Sequence, residues 1–503
     1  MERLDGEAVR GWARGAAVLL AAAAARIDAV NVFPVPDADT GTNVRLTVEG
    51  GARRASLASP EAGPAAVARA FAAGTLTAAR GNSGVIVSQY LAGFAAALPD
   101  EPADARALAT ALDAAARAAR GAVAQPEEGT VLTVARLVAE RARHAARTGV
   151  PVSGLLGPVL DEARGELARI SREHPVLREA HVVDAGACAL LVMLEALDDA
   201  LTGSGRAGVP EWLPDRGVAP EDLAAWRAAE PGGAFEVMAL VVPQAPDPGL
   251  GAALRERLAA VGDSVAVVGA DDLWHVHVHT EDPAAAVAAA RLGARSQVVV
   301  RLVEGAAEQV AAGDDLGLVV ATGEPGTARF FGAGGAVVVV RCPEEPVTAD
   351  HLLRAVADTG AARVVMVAGT PELAEVARRL TAGEELPGVA VDVVETGDTL
   401  GAAVAALAVL GARGDAVRRA DAARDALARL RTADVEVWGD LATTADALVE
   451  DAAGAAQGLT VQYGGAIDEA LALREHLGEA YPDLDVVLVG PVADGPPWRI
   501  GVD

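Results

Sequence analysis

Asp37 and Asp39 stand one residue apart in the run Asn31-Val-Phe-Pro-Val-Pro-Asp-Ala-Asp-Thr-Gly-Thr-Asn43. Pro34 and Pro36 break any preceding helix, so the run is a loop. Carboxylates at i and i+2 of extended backbone project to one side. Magnesium is commonly held by one or two protein carboxylates together with substrate phosphates, so the pair suits a metal-nucleotide. Thr40, Gly41, Thr42 and Asn43 follow as a small polar run suited to opening a helix. An Asp-x-Asp pair is weak on its own in so acidic a chain; Asp483-Leu-Asp485 reads as the start of an ordinary strand. On chemistry alone, a metal site and a solvated turn are equally compatible with the loop.

Three further words at apparent helix starts carry phosphate-binding residue types. Arg80-Gly81-Asn82-Ser83-Gly84 combines two glycines, which allow close backbone approach, with side-chain donors and a helix N-terminus. Arg80 could neutralise charge on a transferring phosphoryl group; the plain alternatives are a capped helix start and a surface arginine. Glu128-Gly129-Thr130 and Asp184-Ala185-Gly186 each precede an apolar helical run, and alone each is an ordinary N-cap. A different chemistry is suggested by His275-Val-His277-Val-His279-Thr280, where alternation on a strand puts three imidazoles on one face. That suits zinc or phosphate. Periodicity alone favours a polar outer face with the valines turned inward.

The elements that must position these residues fall into blocks. Residues 1–203 read as Ala/Leu/Arg helices broken by short Gly/Pro/Asn loops, and 204–232 as a linker rich in Gly, Pro and polar residues. Between 233 and 312 the order is strand Phe235–Val242, helix Gly251–Val261, strands Ser264–Val268 and Leu273–Thr280, helix Pro283–Leu292 and strand Gln297–Val303. This is the split β-α-β-β-α-β, ferredoxin-like pattern. From Leu316 short Val-rich strands, such as Ala336–Val340, Val364–Val367 and Val389–Val394, alternate with Ala-rich helices. That alternation predicts a parallel, helix-covered sheet over 313–503.

Composition narrows the chemistry. The chain of 503 residues has a formal net charge of −28, which repels nucleic acid and anionic membrane. It contains no lysine, so the Walker A P-loop and the protein-kinase nucleotide site are both excluded. Any ATP must be held by another fold. Cys188 and Cys342 lie far apart in sequence, so no disulfide framework is expected and a reducing cytosol fits. The apolar run Ala16–Ala25 follows Glu2, Asp5 and Glu7, which is wrong for a signal peptide and points to a buried first helix. No run is apolar enough to span a membrane.

The four helix-start words occur in the same order as those of the DhaL family, the ATP-binding subunit of dihydroxyacetone kinases: N-V-F-P-V-P-D-x-D-T-G-T-N, A-R-G-N-S-G, E-G-T-x-L-T and V-D-A-G. The chain strongly resembles that family, and within it the longer bacterial branch that includes the ATP-binding subunit of fatty acid kinase. Three positions depart from the pattern. Ala38 stands where the family has glycine between the aspartates, and Ala187 and Ala189 replace two glycines of the last word. The branch's H-x-H-T matches His277 and His279, but its cysteine on the first strand of that domain is Ala234 here. Leu318–Glu324, Gln462–Gly465 and Trp498–Val502 also match branch words, whereas Val367–Pro371 and Glu395–Thr399 replace two others.

The resemblance implies an all-α eight-helix antiparallel barrel whose loop end binds Mg-ATP, then a ferredoxin-like middle domain and a DegV-like α/β domain. It implies magnesium on Asp37 and Asp39, with Asn31 as a further candidate. Thr40, Gly41, Thr42, Asn43, Gly81, Asn82, Ser83, Gly84 and Thr130 would line the nucleotide, and Asp184, Ala185 and Gly186 would close the pocket. Arg80, His277 and His279 would act in transfer, with zinc at the His277/His279 strand an open question and no tight structural zinc expected. The activity implied is transfer of a phosphoryl group to a carboxylate, a fatty acid presented by a DegV-type carrier. Dihydroxyacetone kinase-type transfer and a non-catalytic ATP-binding scaffold are the rivals. A cytoplasmic protein, with homodimerisation left open, fits each of these.

Overall fold

The computed structural model describes residues 3–33, 38–123, 126–205, 208–215, 217, 233–270, 273–303, 316–382, 388–452, 456–465, 467–493 and 495–503. Most of the expected linker and Asp37 therefore lie outside the described residues. The N-terminal region is helical: α1 (Gly6–Asp28), α2 (Thr40–Ser56), α3 (Pro64–Ala78), α4 (Gly81–Ala97), α5 (Ala105–Ala122), α6 (Val131–Arg147), α7 (Leu156–Ser171), α8 (Pro175–Ala180) and α9 (Ala185–Thr202). Helices α1, α5 and α6 show an apolar stripe with a 3.6-residue period, whereas α9 is buried on every side from Ala187 to Asp198. In α1 the stripe runs through Ala8, Val9, Trp12, Ala16, Leu19, Leu20, Ala23 and Ile27, all buried. The Ala16–Ala25 run is thus part of a buried first helix.

Alanine dominates these stripes, so few side chains fill the gaps between helices. Trp12 takes that role: its ring meets Phe71 and Phe94 edge-on, with centroids 5.4 and 4.9 Å away. Its indole N–H donates to the Met193 carbonyl at 2.8 Å, so the one polar atom of the largest core residue is satisfied. Cys188 and Cys342 are buried free thiols.

After residue 232 strands appear: β1 (Phe235–Val242), α10 (Leu250–Ala259), β2 (Asp263–Ala270), β3 (Leu273–Thr280), α11 (Pro283–Ala289) and β4 (Ala294–Leu302). Then follow β5 (Leu316–Thr322), α12 (Ala328–Ala333), β6 (Val337–Val340), α13 (Ala349–Asp358), β7 (Arg363–Ala368), α14 (Pro371–Ala382) and β8 (Ala390–Glu395). These strands form one sheet of order β2-β3-β1-β4-β6-β5-β7-β8. β6, β5, β7 and β8 run parallel, as valine-rich strands alternating with helices require. β4 joins them by an antiparallel pairing of Val298–Val300 with Val338–Val340.

The chain ends with α15 (Thr399–Gly411), α16 (Ala416–Arg429), β9 (Arg431–Val435), α17 (Leu441–Asp451), β10 (Gly458–Tyr463), α18 (Ile467–Ala480), β11 (Asp485–Val489) and β12 (Trp498–Val502). Asp485 opens β11, as the sequence suggests. Here the expectation of a single parallel sheet needs correction. The last strands form a second, mixed sheet of order β11-β10-β12-β9, in which β12 is antiparallel to both β10 and β9. The segment between β11 and β12 is too short for the crossover that a parallel return needs. The C-terminal region is thus α/β with mixed sheets.

By its contacts the chain divides into two compact units. One holds residues 1–232, 247–255 and 264–277, the other 233–246, 256–263 and 278–503. In the first, Ala266, Val268 and Leu273 of β2 and β3 pack with Leu76, Ala79, Val85 and Ala122. In the second, Val319, Val339, Val364, Met366 and Leu373 lie in one core cluster. None of the described helices is long and apolar enough to cross a membrane.

Candidate nucleotide and metal site

Helix α1 ends at Asp28 and α2 begins at Thr40, so the aspartate loop is a link between two packed helices. Asn31 is buried, and its Oδ1 accepts a hydrogen bond from the Thr40 hydroxyl. That hydroxyl also meets the Ser83 hydroxyl at 3.1 Å, which joins the start of α2 to the first turn of α4. Behind it, Asn43 and Thr47 extend the polar line. Thr47 Oγ1 donates to the Asn43 carbonyl at 2.7 Å and accepts from the Arg80 backbone N–H at 3.2 Å. Gly84 is required here: a Cβ would sit 2.4 Å from Thr47 Oγ1. Two of the four expected loops are thereby joined through hydrogen bonds.

Helix N-termini expose unpaired amides and the positive end of the macrodipole. In a chain without lysine, two such termini side by side are a rational way to hold phosphate. Gly81 opens α4 in the left-handed region, at φ 56°, where glycine pays no steric cost. Asn82 and Ser83 stand half-buried in the first turn of that helix. Asp39 is half-buried at the N-cap of α2. Ala38 adopts φ 56°, so this is a position where a side chain is strained and the resembled family's glycine is not.

Arg80 is not a surface arginine. It is 5 % exposed and donates from Nη1 to the Ala78 carbonyl at 2.5 Å. The residue before it is held as well, since His275 Nε2 donates to the Ala79 carbonyl at 3.2 Å.

The other two loops meet around a residue that sequence reasoning missed. His174 is buried, its Nε2 lies 2.6 Å from Glu127 Oε2, and its ring lies 4.1 Å from that of Phe33 in the aspartate loop. A Cβ on Gly129 would come within 2.6 Å of the His174 backbone nitrogen. Thr130 caps α6 by accepting from the Leu132 N–H at 3.3 Å, and its hydroxyl donates to the Glu127 carbonyl at 2.9 Å. Asp184 caps α9, accepting from the Ala187 N–H at 2.7 Å, while its own N–H donates to Ser171 Oγ at 3.0 Å. Burial pushes the Asp184 carboxyl up to about 6. Ala185 and Gly186 form the first turn behind it, and Ala187 serves as an ordinary cap donor, a task that needs no glycine. The sequence signal for His174 was faint: a histidine just before a proline that opens a short helix.

His277 and His279 belong to a second cluster. The expectation of a solvated histidine face is overturned: His275, His277 and His279 are 1 %, 1 % and 4 % exposed, and Val276 and Val278 are buried too. In the sheet order β3 lies between β2 and β1, and from His275 to Thr280 the residues of both its faces are buried. Ligand atoms of Glu236, His277 and His279 lie within 4.8 Å of one another. Two imidazoles and a carboxylate fit zinc by donor type. Glu236 also pairs with Arg301, its register partner on β4, which takes up part of its charge. Glu236 was overlooked because its place opposite the histidines depends on strand pairing, not on spacing along the chain.

Set beside known proteins, the helical region defines a class. Residues 34–199 match the DAK2 domain, and residues 233–308 match the FakA-like middle domain, that of the fatty acid kinase A-subunit family. The chain therefore carries a DhaL-type DAK2 domain followed by a FakA-like middle domain. Among individual proteins, it is 34 % identical to protein YloV of Bacillus subtilis over 296 residues, 56 % of this chain and 52 % of YloV. It is 33 % identical to an uncharacterized protein of Staphylococcus saprophyticus over 269 residues, 51 % of this chain and 47 % of that one. An uncharacterized protein of Staphylococcus aureus is 31 % identical over 270 residues, 51 % of this chain and 48 % of its own length. The chain thus spans about half the length of the curated relatives it matches.

Proposed function

We propose that the chain is the ATP-binding subunit of a magnesium-dependent kinase that transfers the γ-phosphoryl group of ATP to a carboxylate, that of a fatty acid presented by a DegV-type carrier protein. The observation that carries this reading is the Thr40 hydroxyl, which touches both Asn31 and Ser83 and so draws two helix N-termini into one polar group. In this reading Asp37, Asp39 and Asn31 hold magnesium. Thr40, Gly41, Thr42, Asn43, Gly81, Asn82, Ser83, Gly84 and Thr130 line the nucleotide, and Asp184, Ala185 and Gly186 form its far wall. A bound magnesium would supply charge neutralisation at the phosphates.

The residues present suit the acceptor as well. A carboxylate is already ionised at neutral pH, so no general base has to take a proton from it. What remains is positioning and charge neutralisation, for which the buried Arg80 is the nearest cation to the first turn of α4 in sequence. His277 and His279, with Glu236, act in transfer, with zinc the ion that their donor types suit. A fatty-acid substrate and a carrier partner are parts of the same proposal, supported by the match of residues 233–308, and a cytoplasmic setting is proposed with them.

The test is ATP consumption by the purified chain with magnesium and oleate, with and without DegV-type carriers from the same genome. Carrier-dependent ADP release with formation of an acyl phosphate is the expected result. ATP binding without turnover across every carrier would overturn it, in favour of a dihydroxyacetone-type acceptor or a regulatory role.

A further inference from the structure

Four helices of the nucleotide region are capped by their own N-cap residues. Asp5 serves α1, Asp104 serves α5, Thr130 serves α6 and Asp184 serves α9, each accepting from an amide of its own first turn. Helices α3, α4, α7 and α8 have no side-chain cap, and their N-cap residues are Gly63, Arg80, Leu155 and His174; helix α2 differs from both groups. Its N-cap residue is Asp39, yet Asp39 makes no side-chain cap to its own helix. The amides that it would ordinarily take are those at N2 and N3, here Gly41 and Thr42. Both donate to Asp28 Oδ1, at 2.6 and 3.1 Å, and the Thr42 hydroxyl donates to Asp28 Oδ2 at 2.8 Å.

Asp28 is the last residue of α1, so the cap comes from a neighbouring helix and ties the two elements together. The fit is tight: a Cβ on Gly41 would stand 2.3 Å from the Ala24 carbonyl oxygen and 2.9 Å from Asp28 Oδ1. Hydrogen bonds to an ionised acceptor are roughly twice as strong as neutral ones, and this carboxylate collects three. Burial, with the nearby Asp39 charge adding to it, pushes the Asp28 carboxyl up to about 6, and the three donors oppose that shift.

We propose that Asp28 is a positioning residue for the metal-nucleotide loop: by occupying the N2 and N3 amides of α2 and the Thr42 hydroxyl, it excludes Asp39 from the capping role and fixes the turn on which Asp39 is carried toward the metal. The inference rests on the nucleotide reading above. In this role Asp28 acts through Gly41 and Thr42, to which its carboxylate is hydrogen-bonded.

The experiment is calorimetric ATP binding, with and without magnesium, for the full chain and its Asp28→Asn and Asp28→Ala variants, each with a thermal melt. The wild type should bind ATP more tightly with magnesium. Asp28→Ala should lose roughly tenfold or more of the Mg-ATP affinity, the scale of a few lost hydrogen bonds, with a much smaller change for ATP alone. Asp28→Asn keeps an acceptor but not the charge, and should fall between, at roughly threefold. A lower melting temperature with the magnesium-dependent part of binding intact in both variants would overturn the proposal and leave Asp28 a purely structural tie. Should Asp28→Ala fail to fold, Asp28→Asn decides alone: an unchanged magnesium-dependent affinity overturns the inference. A wild type that binds no Mg-ATP would remove the nucleotide reading, a failure distinct from wild-type binding that the variants leave unaltered.

Discussion

Two buried polar clusters in this chain are built by opposite means. The one at the starts of α2 and α4 uses small hydroxyls, an amide side chain and helix-terminal N–H groups, with the buried Arg80 beside them, so most of its donors are neutral. The one on β1 and β3 uses Glu236, His277 and His279, side chains that occupy alternate places on strands inside a sheet. The first suits a large anionic ligand that can be met by many weak donors. The second is compact and suits a single ion or a proton. The two clusters should respond to mutation differently.

The largest separation between them should come from Asp39→Ala. We expect phosphoryl transfer to fall by at least roughly a hundredfold, the scale seen when a group stabilising transition-state charge is removed, with the melting temperature within about 2 °C of wild type. Coupled ADP release and a thermal melt on the same sample check this. Retained turnover would detach the helix-start cluster from catalysis.

Next in size is a pH effect at Asp184. Its folded carboxyl is raised to about 6 by burial, above its value in an unfolded chain. The folded state therefore favours the protonated form. The associated stability is fully present below pH ~4 and is lost as pH rises through about 6, a change of about 3 kcal/mol for a carboxyl raised that far. Asp184→Asn keeps an acceptor for the Ala187 amide and carries no charge. Its stability relative to wild type should rise between pH 4 and 7 in urea titrations without ligand. A flat difference would show that the wild-type carboxylate carries no burial penalty.

A smaller effect should mark the strand cluster. His277→Ala is expected to lower transfer roughly tenfold, the scale of about one lost hydrogen bond, while Mg-ATP affinity measured by calorimetry stays unchanged. A parallel loss of nucleotide affinity would merge the two clusters into one site. The smallest effect belongs to Ala38→Gly. Relief of a side chain at φ 56° should raise stability by about 1 kcal/mol, read from the urea midpoint; a drop would mean that the loop's entropy in the unfolded chain dominates.

Sequence legibility followed the same division. Phe235–Val242 and Leu273–Thr280 appear in the structure with the bounds read from the sequence, because turn residues punctuate both ends. The helix starts at Thr40, Gly81, Val131 and Ala185 were legible as words, since each combines a cap with glycine or a small polar run. What stayed hidden was whatever a second element contributes. Asp28 is an ordinary C-terminal aspartate of α1 until α2 folds onto it. Glu236 is one acid among many until β1 pairs beside β3. Arg80 looks solvated until Thr47 and Ala78 enclose its backbone and guanidinium. Strand order across the eight-stranded sheet was hidden for the same reason, because pairing partners are chosen in space.

The antiparallel seam between β4 and β6 bears on how this chain could be divided by a protease or an experimenter. A cut placed from sequence alone would fall between Val303 and Leu316, after the last strand of the middle block. It would strip β6 from β4 and leave Val298, Val299 and Val300, now paired and buried, as a bare hydrophobic rim. Such rims recruit other strands. A fragment ending there should stick to its own kind, whereas one ending before residue 233 would leave no half of this sheet behind.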